Sequence, residues 1–189
     1  DVLNDCVADT ALALTLNALR KFPQSEAYLR SGYWATRGTY PLTTSAGGKT
    51  MGILGLGRIG EAIARRALAF GMKVVAHDPY VAPSFAQQLN VSMVPLDELY
   101  AQSDYITLHV SLTPETENLL STKAFEQMKP GVRIVNCARG EMIDQDALTE
   151  ALQSGKVAGA ALDVFKPEPP APDLPLLGLE GLLATPHIA

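Results

Sequence analysis

Cysteine is scarce: there are 2 in 189 residues, Cys6 and Cys137, far apart and outside any ligand-like spacing. That argues against a disulfide framework and against a cysteine-based zinc site, and makes a reducing cytoplasm the expected compartment. Long apolar runs are missing as well. No stretch approaches the roughly 18 apolar residues that a membrane-spanning helix requires. The first residues, Asp1-Val2-Leu3-Asn4-Asp5, are acidic and polar and do not read as a secretory leader. Positive charge is in deficit, with 15 Lys and Arg against 20 Asp and Glu and a net charge of −5. The basic residues are scattered, so neither nucleic acid nor an anionic membrane is an expected partner. No internal repeat is visible.

What remains is ordinary for a globular protein: 47% of residues are hydrophobic and 19% charged. The length suits one domain, or one domain with a short appendage. Residues 3–21 read as an amphipathic helix capped by Asn4 or Asp5, with Val7, Ala11, Leu14 and Ala18 on one face. Residues 23–48 are rich in Pro, Gly, Ser, Thr and aromatics and read as an extended arm. Tyr33, Trp34 and Tyr40 make it either a loop packed on its own domain or a dimer contact.

From Thr50 onward, short apolar runs alternate with helical segments. The runs are 51–54, 73–76, 91–94, 105–110, 132–135, 159–164 and 182–184; the helices fall near 58–70, 83–89, 96–102, 121–127 and 144–154. This rhythm predicts an α/β fold with a parallel sheet and helices on both faces. Five prolines between Pro167 and Pro175 predict a rigid loop at 165–175.

Gly55-Leu56-Gly57-Arg58-Ile59-Gly60 fits G-x-G-x-x-G between a strand and a helix that ends at Gly71. In that context the pattern signals a dinucleotide site. Gly55 allows the tight turn, Gly57 lets the backbone approach a pyrophosphate, and Gly60 lets helix and strand pack closely. The helix N-terminus supplies N–H groups for the phosphate. Asp78 ends the next strand, 18 residues after Gly60, where a carboxylate accepts the ribose hydroxyls. It would repel a 2′-phosphate, and no Arg follows nearby, so NAD is expected over NADP. The expected fold is a Rossmann-type doubly wound parallel sheet in three α/β/α layers.

Three ionisable residues follow later strands: Arg139, Glu168 and His187. Ligands of open parallel sheets bind at the carboxyl ends of the strands. The three can therefore meet beside the nicotinamide end of the cofactor. Reduction of a 2-keto acid needs a hydride, a proton for the carbonyl oxygen and a cation for the carboxylate. His187 suits the general acid, Glu168 a partner that holds the imidazole, and Arg139 a fork for the carboxylate. Asp163 is a candidate contact to the carboxamide of the nicotinamide. His77 and His109 read as structural.

Several blocks resemble the cofactor domain of the D-isomer-specific 2-hydroxyacid dehydrogenases: VADTALALTLNALR, GKTMGILGLGRIGEAIARRALAFGMKVVAHDP, HVSLTPETENLL, MKPGVRIVNCARGEMIDQDAL, SGKVAGAALDVFKPEPP and TPHIA. They occur in the family's order over nearly the whole chain. The resemblance implies a catalytic triad of Arg139, Glu168 and His187. It implies cofactor contacts at Arg58, Ile59, Asp78, Thr116, Cys137, Ala138 and Asp163, together with the glycines and the neighbourhood of Arg139 and His187. Ser111 departs from the pattern, standing where the family often has proline at a position abutting the cofactor. Some blocks look most like phosphoglycerate dehydrogenases and others like hydroxypyruvate and glyoxylate reductases.

The resemblance further implies that residues 1–48 are an interdomain and dimer helix with its arm, that 49–189 are the NAD-binding domain, and that the substrate domain lies outside this chain. The expected partners are a small 2-hydroxy or 2-keto acid and a second copy in a homodimer. The expected isolated chain binds NAD(H) but turns over poorly. The competing reading is an NAD(H)-sensing, corepressor-like module without turnover.

Overall fold

The computed structural model describes residues 2–189. Its centre is a parallel sheet of β1 (Thr50–Leu54), β2 (Lys73–His77), β3 (Ser92–Met93), β4 (Tyr105–Leu108), β5 (Val132–Asn136), β6 (Val157–Leu162) and β7 (Leu182–Ala184). Their order is β3-β2-β1-β4-β5-β6-β7, so the winding reverses between β1 and β4. Such a switch point opens a crevice at the carboxyl ends of the two strands, because the connections leave it in opposite directions.

Helices cover both faces. On one lie α1 (Val2–Arg20), α4 (Arg58–Ala69) and α5 (Pro83–Gln88), packed on Met51, Ile53, Val74, Tyr105 and Val135. On the other lie α6 (Leu96–Gln102), α7 (Thr122–Gln127) and α8 (Gln145–Gln153), packed on Leu54, Ile106, Ile134 and Leu162. Strands buried on both faces read as continuous apolar runs, which is why Tyr105–Leu108 is wholly buried. This is the three-layer doubly wound fold that the alternating pattern predicts.

The first helix begins already at Val2, so Asn4 and Asp5 sit in its first turn rather than capping it. Ala11 and Leu14 are buried as expected, and Ala8, Leu12 and Leu19 widen the buried face. Arg66 of α4 reaches across to Asp5 and Asp9 of α1, at 2.9 and 2.7 Å.

The expected extended arm is helical in its first half instead: α2 (Phe22–Arg30) and α3 (Tyr33–Arg37) occupy it. Pro23 falls in the first turn of α2, where the missing N–H costs nothing. Glu26 and Arg30 pair one turn apart. Neither helix buries a residue, so proline and aromatic content alone gave no reliable sign of chain extension. Tyr28 instead meets Tyr33 and Tyr40 edge to face, at 5.6 and 5.3 Å.

Candidate functional site

The glycine turn leaves β1 with Gly55 at φ 91°, and a Cβ there would lie 2.6 Å from the His109 carbonyl oxygen. At Gly60 a Cβ would lie 2.1 Å from the Gly55 carbonyl oxygen. Gly57 is different: a Cβ would meet nothing within 4 Å, and its φ of −72° suits any residue. The bare backbone at Gly57 faces open space, where an approaching anion would reach it. Gly57, at the N-cap of α4, has no side chain to cap the helix, and the start of a helix is where backbone N–H groups favour an anion.

Asp78 leans across this turn. One carboxylate oxygen accepts from the Leu56 N–H at 2.9 Å, the other from the Tyr80 N–H at 2.9 Å. Arg58 and Ile59 are the first two residues of α4, next to the open side of the turn. Across the crevice, Thr116 closes the loop after β4: its hydroxyl donates to the Ser111 carbonyl at 2.7 Å and accepts from the Thr113 N–H at 2.8 Å. Ser111 itself is exposed.

His109 hydrogen-bonds the buried Thr107 hydroxyl through Nε2 at 2.7 Å. Burial pushes its pKa down to about 3, so the ring is neutral at physiological pH. His77 meets the Val94 carbonyl through Nδ1 at 3.1 Å.

The loop after β5 turns on Asn136, a residue that the sequence analysis does not single out. Its buried side chain accepts from the Ala138 N–H at 2.9 Å and donates to the Arg139 carbonyl at 2.8 Å. Cys137 is buried, and burial, aided by the Asp163 carboxylate, pushes its thiol up to about 12. It is therefore no thiolate nucleophile. Ala138 is half-buried, and Arg139 is exposed with Nη1 donating to the Ala138 carbonyl at 2.6 Å. Gly140 packs against the neighbouring loop so closely that a Cβ would lie 2.1 Å from the Phe165 carbonyl carbon.

Asp163, fully buried after β6, secures the chain end that carries the histidine. Its carboxylate accepts from the Thr185 hydroxyl at 2.5 Å and from the Ile188 and Ala189 N–H groups at 2.9 Å each. Its carbonyl accepts from the His187 N–H at 2.9 Å. His187 thereby holds φ at 54°, which its own side chain disfavours. The imidazole Nδ1 lies 3.0 Å from Glu168 Oε2, with both side chains about half exposed. The pair therefore stays open to a ligand.

Beside it is an apolar pocket of about 500 Å³ formed by Phe165, Pro169, Leu177 and Pro186. A cavity of about 480 Å³ at the opposite end of the sheet, between α1, α2 and the start of β6, contains none of these residues.

The structure thus places every candidate at the carboxyl edge of the sheet and brings Glu168 and His187 into contact. Arg139 shares that edge, but among the described residues no hydrogen bond or ion pair joins it to the other two. Among the described residues no cluster of His, Cys, Asp or Glu could hold a metal, and no helix is long and apolar enough to cross a membrane.

Residues 12–189 match the family described as D-isomer specific 2-hydroxyacid dehydrogenase, NAD binding domain. D-3-phosphoglycerate dehydrogenase of Archaeoglobus fulgidus is 47% identical over 182 residues, which cover 96% of this chain and 34% of that protein. The chain thus spans about a third of the length of such relatives. Among solved structures, a glyoxylate reductase from Paecilomyes thermophila superposes with a TM-score of 0.89 at 41% identity, covering 98% of this chain and 55% of the other. An NADPH-dependent glyoxylate/hydroxypyruvate reductase from Sinorhizobium meliloti, in complex with NADP and malonate, gives 0.90 at 39% identity, covering 100% and 58%. The open turn at Gly57, the carboxylate at Asp78 and the crevice between β1 and β4 fit a dinucleotide, and the chain belongs to the D-isomer specific 2-hydroxyacid dehydrogenase family as its NAD-binding domain.

Proposed function

We propose that this chain is the cofactor-binding and catalytic half of an enzyme that interconverts a D-2-hydroxy acid and its 2-keto acid. The observation that carries this is the Glu168–His187 pair, 3.0 Å apart and half exposed at the carboxyl edge of the sheet. The bound nicotinamide supplies the hydride. In the reducing direction, His187 gives a proton to the carbonyl oxygen through Nε2, the nitrogen Glu168 leaves free. Glu168 holds the ring through Nδ1. Arg139 presents its guanidinium to the substrate carboxylate. Gly57, Arg58 and Ile59 would receive the pyrophosphate at the turn that Gly55 and Gly60 shape; Asp78 would receive the ribose and disfavours a 2′-phosphate, so NAD is preferred. Ser111, Thr116, Cys137, Ala138 and Asp163 line the path of the cofactor toward His187.

The intact dyad favours an enzyme over a sensor module, which would need no proton donor. We assign residues 1–48 to an interdomain and dimer element and 49–189 to the cofactor domain. Phe22, Leu29, Tyr33, Trp34 and Leu42, all exposed, support a homodimer through the first segment. Two free thiols support a cytoplasmic setting.

The test is turnover of a panel of 2-keto acids with NADH, including 3-phosphohydroxypyruvate, hydroxypyruvate and glyoxylate, by the longest native polypeptide carrying this sequence. His187→Ala is expected to lower kcat by about a thousandfold or more with NADH affinity retained, in the range seen when a general acid is lost along with its orienting partner. Unchanged turnover in that variant would leave the sensor reading standing in its place.

A further inference from the structure

The loop that carries Glu168 has little backbone bonding of its own. Among the described residues, Val164–Pro170 makes no backbone-to-backbone hydrogen bond. Pro167, Pro169 and Pro170 have no N–H to offer. Yet Glu168 must stay within bonding distance of His187. Val164 and Phe165 are buried at the loop's stem, and contacts from the 140–145 segment hold it there. Gly140 packs against Phe165, and Gln145 grips the next residue at both of its backbone groups: Nε2 donates to the Lys166 carbonyl at 2.5 Å, and Oε1 accepts from the Lys166 N–H at 3.3 Å.

Gln145 is itself firmly placed. It opens α8, whose start is capped by the Asp144 carboxylate accepting from the Asp146 and Ala147 N–H groups at 3.1 Å each. The Asp144 N–H is bonded to the Leu120 carbonyl, and Leu120 bridges to Ile143. The segment from Asn136 to Gln145 therefore bears Arg139 near one end and the grip on the Glu168 loop at the other.

We propose that Gln145 is a positioning residue that sets Glu168, and through it His187, relative to Arg139. The inference rests on the dyad reading above. An amide is required because the site presents one donor and one acceptor. Glutamate at this position would accept from the Lys166 N–H but face its carbonyl with negative charge. The Lys166 ammonium takes no part in the grip: it pairs with Glu117 at 2.8 Å in the open, and that pairing raises the lysine pKa.

The test uses this chain with Gln145→Ala, Gln145→Glu and Lys166→Ala. Imidazole ¹⁵N spectra, taken at a pH where His187 is neutral, report which nitrogen carries the proton. In the wild type Nδ1 does, because it donates to Glu168. Both Gln145 variants are expected to lose that preference by severalfold while still binding NADH, and Lys166→Ala to keep it. Gln145→Glu introduces a carboxylate, which is favourable at a helix N-terminus, so it stays folded if Gln145→Ala does not. In the longest native polypeptide, kcat should fall about 10- to 100-fold with KM for NADH unchanged, the scale for a displacement near 1 Å. A wild-type tautomer in both Gln145 variants overturns the proposal, as does an equal loss in Lys166→Ala. If the tautomer shifts but His187→Ala is fully active, the grip stands and the catalytic reading falls.

Discussion

Replacing Gly57 with alanine separates the binding role of the glycine turn from its structural role. A Cβ at Gly57 meets nothing within 4 Å, and the backbone at φ −72° and ψ −164° is open to alanine. Loss of glycine's unfolded-state freedom stabilises by about 0.4–1 kcal/mol. Gly57 also caps α4, and alanine is a worse cap by about 0.5–1 kcal/mol. The two nearly cancel, so Tm should move by no more than about 2 °C. Affinity should not survive. Charge-assisted bonds from backbone N–H to phosphate oxygen need about 2.7–2.9 Å, which a methyl group on this face prevents. Two such bonds at about 1.5 kcal/mol each amount to roughly 3 kcal/mol, or about a hundredfold in Kd.

Gly60→Ala is the converse control. Its Cβ would start 2.1 Å from the Gly55 carbonyl oxygen, so α4 must shift by about 1.3 Å to reach ordinary contact. Overpacking on that scale costs about 1–3 kcal/mol, or a Tm lowered by roughly 3–10 °C. Calorimetry reads the first quantity and NADH fluorescence titration the second. A Gly57→Ala chain that binds NADH within threefold of wild type would refute the placement of the pyrophosphate at this turn.

His109 makes stability depend on acid. Its pKa is about 3 folded against 6.5 unfolded, so between those values the unfolded chain binds a proton that the folded chain does not. The contribution is complete above pH 6.5 and is lost as pH falls toward 3. It is at most about 4–5 kcal/mol, because His109 as a residue is only partly buried. Urea unfolding of His109→Gln against wild type at pH 7 and pH 4 should show the variant losing less stability on acidification; parallel losses would place the acid sensitivity elsewhere. Arg66→Ala should loosen α1 from α4, costing about 1 kcal/mol at low salt and less in 1 M NaCl, since both aspartates are about 70% exposed. A salt-independent loss would mean that the arginine stem, and not its charge, holds the helices together.

The fold was legible because its signal is periodic. Parallel strands buried on both faces leave apolar runs, and the crossover helices leave amphipathic ones, so Met51–Leu54 and Ile63–Ala67 declare themselves locally. The segment 22–37 misled for the opposite reason. No residue of α2 or α3 is buried, so no apolar stripe distinguishes helix from loop, and proline at the first turn carries opposite meanings in the two. The position of a strand end is equally non-local. The run at 105–110 leaves the sheet after Leu108, with only the His109 N–H still bonded to the Leu54 carbonyl, where the distant Gly55 turn carries β1 away.

The site divides along the same line. Arg139, Glu168 and His187 could be singled out because each is an ionisable residue just after an apolar run, and the sheet gathers strand ends at one edge. The residues that secure them could not. Gly140 and Gln145 act through backbone atoms of a segment remote in the chain, and Asn136 through those of the next three residues; a bond to a backbone group leaves no trace in the composition of either partner. Asp163 shows how far this alters a role. From sequence it reads as a contact for the nicotinamide, yet three donors of the 185–189 segment occupy its carboxylate. A carboxylate with about four acceptor positions has room for one more donor. On the proposed function, a carboxamide donor at that remaining position would be coupled through Asp163, which is itself fully buried, to the backbone of His187.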